Sequence, residues 1–192
     1  MTTARTTNAP VDPSFPARWS PRAFKEDPVS VEQLHTVLEA ARFAPSGMNE
    51  QPWLILYAQS VADRRVFTSL LVESNQVWAA RAPVLMFFFA RKHYERSGKP
   101  NRTAVFDTGA AWMSLTLQAN KLGLVTHGMG GIHLDKVCST LGVPDDKYEP
   151  ICAAAMGYQA DAAILPEPVR AREFPSARKH FNEWAFEGRF PG

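Results

Sequence analysis

The first regular pattern along the chain begins at Ser30, behind which Leu34, Val37, Leu38 and Ala41 recur at i, i+3, i+4 and i+7. That spacing puts one apolar stripe on a helix, with Ser30-Val31-Glu32-Gln33 as a capping box ahead of it and Pro45 as its stop. WLILYA, Trp53–Ala58, reads as a strand, and a helix is expected from about Ser60 to Glu73. APVLMFFFA, residues 82–90, has no polar position. It would extend about 30 Å as a strand and about 14 Å as a helix, and a membrane helix needs about 20 apolar residues, so it predicts a buried strand. From Ala104 to Leu122 apolar residues fall on nearly every side of a helix about 28 Å long, which is expected to be buried all round. A chain of 192 residues can hardly enclose such a helix alone, and this points to a subunit interface. Gly123 ends it, LVTHGMGG follows, and a short helix near Asp135–Leu141 stops at Gly142. Ile151–Gly157 reads as a strand and Ala177–Phe186 as a last amphipathic piece. Strands and helices mix without a strict βαβ rhythm, which favours the α+β class.

Composition narrows the function classes. Residues 1–16, rich in Thr, Pro and Ala, predict a flexible N-terminal arm ahead of one domain over 17–192. With 45% apolar and 21% charged residues the chain can bury one good core. A net charge of +2 without any Lys/Arg run argues against nucleic acid as a partner, and no stretch is apolar enough to expect a membrane partner. The N-terminus lacks the apolar stretch of a secretory signal, and the two cysteines, Cys138 and Cys152, are too few to frame a disulfide-built fold. A cytoplasmic protein with both thiols reduced and packed as small side chains is expected.

Four separate segments carry candidate chemistry. In RWSPRAF, Arg18–Phe24, two guanidinium groups flank a hydroxyl, a set that could hold an anion, although for this segment alone a solvated basic loop is the commoner reading. APSGMNEQPW, Ala44–Trp53, is at least a turn between helix and strand. HGMGGI, His127–Ile132, has three glycines that let backbone N–H groups approach a flat ligand, yet it matches neither GxGxxG nor the P-loop. VRARE, Val169–Glu173, brings a further pair of arginines. His127 and His133, without a supporting Cys or carboxylate ligand, are expected to be structural, and no metal site is expected.

Taken in order, these segments resemble the nitroreductase family of FMN-dependent oxidoreductases. Arg18, Ser20, Arg22 and Phe24 match its R-x-S-x-[RK]-x-F motif, and Ala44, Pro45, Ser46, Asn49, Gln51, Pro52 and Trp53 match A-P-S-x-x-N-x-Q-P-W, the most specific of the set. Asp107, Gly109, Ala111, Leu117, Ala119, Gly123 and Leu124 follow the family's D-x-G-x-A pattern with looser spacing, ahead of the glycine loop and of Arg170 and Arg172. Trp19 stands where a second basic residue is frequent and Gln159 where Pro often follows Gly-Tyr.

The resemblance implies a three-layer fold, a central mixed sheet flanked by helices, in an intertwined homodimer whose FMN sites lie at the interface. It places Pro45 and Ser46 against the flavin ring of the other subunit and Asn49 at the ring's polar edge. Arg18, Ser20, Arg170 and Arg172 would take the ribityl phosphate, Gly130 and Gly131 would bring N–H groups near flavin N5, and Arg22 would sit by N1 and O2. Trp19 and Gly128 complete the implied cofactor-binding set. No side-chain nucleophile is implied: NADH or NADPH gives hydride to the flavin, and a small electron-poor acceptor such as a nitroaromatic or quinone takes two electrons by a ping-pong mechanism. Reductive dehalogenation, flavin fragmentation and non-catalytic flavin binding are the alternatives. The only plausible lid is Arg91–Asn101, with Asn75–Arg81 beside it.

Overall fold

In the computed structural model, which describes residues 5–192, β2 (Val84–Arg91) lies inside a four-stranded sheet of order β1-β2-β4-β3, with β1 Trp53–Ala58, β3 Val125–Met129 and β4 Tyr148–Gly157. All three pairings are antiparallel, where a mixed sheet was expected. Residues 84–90 are buried without interruption because both faces of β2 are covered. Leu85, Phe87 and Phe89 face one core with Phe67, Leu70, Leu71 and Trp78, while Val84, Met86 and Phe88 face another with Leu34, Val37, Ala111 and Leu115. β4 answers the bulk of β2 with small residues: Phe87 is opposite Ala153, Met86 opposite Ala154 and Leu85 opposite Ala155. The resulting helix–sheet–helix sandwich is the α+β, three-layer arrangement the sequence implied.

The helices follow in chain order. α1 (Ser14–Ala17) is one turn, started by Asp12, whose Oδ1 accepts the Ser14 N–H. Residues 1–4 of the expected arm lie outside the described residues. α2 (Val31–Arg42) has the expected capping box: Gln33 N–H donates to Ser30 Oγ, and Ser30 N–H donates to Gln33 Oε1. The helix expected over 60–73 is instead two, α3 (Val61–Ser69) and α4 (Glu73–Ala79). The break comes from a long-range pairing, since Leu71 bridges Ile132 and Val72 N–H donates to Gly131 O, which the helical backbone could not do. α4 is no lid element, because Trp78 and Ala79 are buried in the core.

α5 (Ala104–Lys121) buries Ala104, Asp107, Thr108, Ala111, Leu115, Thr116 and Ala119. It is not buried all round in the single chain: Val105 is 46% and Phe106 79% exposed. The Thr116 and Thr126 hydroxyls hydrogen-bond, tying α5 to β3. That strand occupies the first part of the glycine-rich stretch because it pairs along the free edge of β4, from Val125 opposite Gly157 to Met129 opposite Ala153. α6 (Leu134–Leu141) ends at Gly142, which supplies the left-handed φ of 68° that a residue with a Cβ would resist. β4 begins three residues earlier than expected, and α7 (Glu167–Arg170) is one turn. The amphipathic piece expected over 177–186 has only the 3-10 turn Phe181–Glu183, with Phe181, Trp184 and Phe186 exposed. Both cysteines are free, and burial pushes the Cys152 thiol up to about 11, consistent with a packing role.

The tightest packing in the sheet is at Gly157, where an added Cβ would stand 2.5 Å from Pro83 Cδ and 2.7 Å from its Cγ. A proline ring and a paired strand cannot yield cheaply. Gly157→Ala is expected to cost about 1–3 kcal/mol, read as a lower urea midpoint at unchanged m-value.

Candidate functional site

The loop Arg18–Arg22 enters the fold on a buried Pro21, and His127 on the edge strand β3 holds it there, its Nδ1 3.0 Å from the Pro21 carbonyl oxygen. The His127 ring also lies against Trp78, with centroids 4.6 Å apart. Arg18 is half-buried and its Nη1 donates to Ser20 Oγ at 3.2 Å. Beside it opens a cavity of about 330 Å³ walled by Arg5, Arg18, Trp19, Ser20, Arg22, His127, Arg172 and Arg178. Among the described residues that line it there is no acidic side chain.

The neighbouring carboxylate, Glu173, is already committed. Its oxygens accept the backbone N–H groups of Arg22 (2.8 and 3.0 Å) and Ala23 (2.9 Å), while Arg22 Nη1 stands 3.9 Å away. Burial lowers the Arg18 pKa, and Arg5 and Arg178 lower it further. Burial and then Arg172 lower that of Arg22, with Glu173 opposing. Guanidinium groups nevertheless keep their charge, so the cavity concentrates uncompensated positive charge in a partly dry space. Arg5 Nε is buried with no hydrogen-bond partner among the described residues. This donor set fits an anion rich in acceptor oxygens, such as a phosphate ester.

Arg18 and Ser20 also wall a larger cleft of about 770 Å³, shared with Trp112, Met113 and Thr116 of α5, Gly128, and the aromatic side chains Phe15, Phe181 and Trp184. At Gly128 an added Cβ would touch the Trp112 ring at 3.4 Å, so the strand and α5 approach closely there. Gly130 has open space around it, whereas at Gly131 a Cβ would meet Val72 at 2.7 Å and Asn75 Nδ2 at 2.8 Å. Asn75 Nδ2 donates to Gly131 O at 3.1 Å. The cleft thus joins a cationic end to a flat, partly apolar wall.

The remaining expected residues lie elsewhere. Arg172 walls the cationic cavity, but Arg170 is exposed, pairs with Glu167, and does not border it. Pro45, Ser46 and Asn49 border neither cavity. They belong to a turn at the N-terminal end of α5, where Gly47 N–H donates to Asp107 Oδ2 and Gln51 N–H to Ser46 Oγ. One chain therefore presents two separate patches. Sequence reasoning missed Arg5, Arg178 and Trp112 as neighbours of the site: the first two come from the arm and the tail, and no motif marks them. His127, expected to be structural, packs its ring on Trp78 and meets the Pro21 carbonyl, and among the described residues no group of three or more His, Cys, Asp and Glu side chains is arranged to hold a metal.

His127 carries a measurable consequence. Burial first, then Arg22, lowers its pKa from 6.5 to about 4, against the raising effect of the Pro21 carbonyl. The unfolded chain takes up a proton below pH 6.5 that the folded chain refuses until about pH 4, so stability falls as pH drops through that window. His127→Gln is expected to remove roughly 2 kcal/mol of the stability difference between pH 7 and pH 5. Urea midpoints of both proteins at the two pH values check this; an unchanged difference would assign the pH dependence to other groups.

The chain is similar to known proteins in sequence and fold. A model of the family described as "Nitroreductase family" matches residues 16–73 and 58–158. A crystal structure described as an oxidoreductase containing FMN is 45% identical, covers 100% of both chains, and superposes with a TM-score of 0.94. A nitroreductase family protein of Clostridium difficile 630 is 25% identical with a TM-score of 0.70, over 90% of this chain and 95% of that one. The NADH dehydrogenase of Thermus thermophilus is 28% identical over 177 residues, 75% of this chain and 84% of that protein. The chain belongs to the nitroreductase family.

Proposed function

We propose that this protein is a cytoplasmic, FMN-dependent oxidoreductase that takes hydride from NADH or NADPH and reduces an electron-poor acceptor such as a nitroaromatic or quinone by a ping-pong mechanism. It works as a homodimer whose sites need both copies. The observation that carries the reading is the cavity walled by arginines and, among the described residues, without an acidic side chain, beside a cleft lined in part by aromatic side chains. The FMN-containing structure at 45% identity supports the choice of flavin.

When bound, FMN supplies the redox chemistry, accepting hydride from the nicotinamide and giving two electrons to the acceptor. Arg18, Ser20 and Arg172, with Arg5 and Arg178 beside them, hold the phosphate by charge-assisted hydrogen bonds. Gly128, which lines the larger cleft, would let the backbone come close to a planar ring, while Gly130 and Gly131 border neither cavity of their own chain. Arg22 is a fixed cation, because Glu173 holds its backbone and its Nη1 donates to Arg172 O at 3.4 Å. Placed at the pyrimidine end, it favours the form of the cofactor that carries negative charge there.

The turn bearing Asn49 borders neither cavity of its own chain, and the exposed Val105 and Phe106 of α5 offer apolar surface for a second copy. The test is chromatography of the cofactor released on denaturation, expected to be FMN, followed by subunit mixing. An Asn49→Ala subunit mixed with an Arg18→Ala subunit is expected to regain one intact site in two. An adenine-containing flavin, or no flavin after reconstitution with excess FMN, sinks the cofactor assignment. No recovery in proven heterodimers means that each site is built within one chain.

Arg22→Gln is expected to make bound FMN harder to reduce, by an amount worth a few kcal/mol, while leaving phosphate capture largely intact. Midpoint potential and FMN dissociation constant are measured side by side. An unchanged potential with a large loss of affinity would make Arg22 another phosphate anchor.

A further inference from the structure

The turn between α2 and β1 has an unusual backbone. Met48, Asn49 and Gln51 all adopt left-handed conformations, with φ of 53°, 57° and 47°. Residues with a Cβ take up that region reluctantly, so three within four positions will not stay there without restraint. The turn's outer side gives none, since Met48 is 83% exposed and Asn49 is exposed too.

Most of its own hydrogen bonds are internal: Gln51 N–H to Ser46 Oγ, Asn49 N–H to Ser46 O and Glu50 N–H to Gly47 O. These define its shape but not its place in the molecule. A carboxylate on α5 fixes the place. Asp107 is only 3% exposed, and its Oδ2 accepts Gly47 N–H at 3.1 Å and the Thr103 hydroxyl at 3.2 Å. The approach is close: a Cβ on Gly47 would stand 3.0 Å from Thr103 Oγ1, which would have to give way by a few tenths of an ångström. A second tether, Glu95 N–H to Glu50 Oε2 at 3.1 Å, is exposed and correspondingly weak.

We propose that Asp107 is the positioning residue for the turn 45–51, setting where Asn49 is presented to the flavin site of a second copy of this chain. It acts through Gly47 and touches no cofactor. The inference rests on the dimeric FMN reading given above. A buried acceptor in this place turns a strained, exposed turn into a preorganised half-site, so that ordering it is not a cost of each binding event.

The test uses the full chain and FMN itself. Asp107→Ala removes the acceptor and is expected to weaken FMN binding about tenfold or more. Asp107→Asn, whose amide oxygen still accepts Gly47 N–H, is expected to stay within about threefold of the wild type. Adding Asp107→Ala to Asn49→Ala is expected to change the dissociation constant by less than about twofold, because the two lesions remove one interaction. Asp107→Ala subunits mixed with Arg18→Ala subunits are expected to regain one site in two, as Asn49→Ala subunits do.

Wild-type affinity in Asp107→Ala would overturn the proposal, as would an additive loss in the double variant or equal losses in the Ala and Asn variants. If Asp107→Ala does not fold, Gly47→Ala attacks the same contact from the turn and must show the same non-additivity with Asn49→Ala. Failure of the underlying reading is separately visible, since wild-type protein would then bind no FMN or the Asn49 and Arg18 subunits would not complement.

Discussion

The burial of β2 on both faces is the constraint on which the rest of this fold depends. A strand with apolar side chains pointing both ways has to be covered on both sides, and the cover is different on each: α3, α4 and α6 over Leu85, Phe87 and Phe89, α2 and α5 over Val84, Met86 and Phe88. Bulky β2 and small β4 fit only in the observed register. Because β2 and β4 are central, β3 is left as an edge, and it is there that the Arg18–Arg22 loop docks through His127. The position of the cationic cavity is thus a consequence of where the core had to be.

The cavity itself runs against ordinary packing. Five guanidinium groups surround it, one buried donor is unpaired among the described residues, and the carboxylate beside it is occupied with backbone N–H groups. Free of ligand, such a cluster repels itself; with a doubly charged phosphate ester, the same groups become a binding site. The stability lost to this repulsion is small against the burial of the two cores, which is why a fold with a full sandwich can carry it.

α5 links the larger cleft to the second patch. Its C-terminal half, at Trp112, Met113 and Thr116, forms one wall of the larger cleft, and its N-terminal end, at Asp107, holds the turn that bears Asn49. With its outward residues exposed and both patches mounted on it, the helix is suited to the middle of a symmetric pair, in which each copy would complete the other.

The amino-acid sequence by itself determined the local elements and the chemistry they carry. The capping box at Ser30, the all-apolar run at 82–90 and the stop at Gly142 act over a few residues, so their outcome is legible without the rest of the chain. The motif residues Arg18, Ser20, Arg22 and Asn49 were legible by resemblance for the same reason, as short patterns of fixed spacing. Tertiary structure alone decided the break between α3 and α4, because Leu71 pairs with Ile132 some sixty positions away. It decided that LVTHGMGG begins as an edge strand, since β4 had to be in place to pair with it. It brought Arg5 and Arg178 to the cavity and left Arg170 outside, since arm and tail are positioned by what they pack on and carry no motif. And it put Asn49 and Arg18 in separate patches, because the turn is held by Asp107 at the N-terminal end of α5 while the Arg18 loop docks on β3 through His127, a placement that no spacing along the chain records.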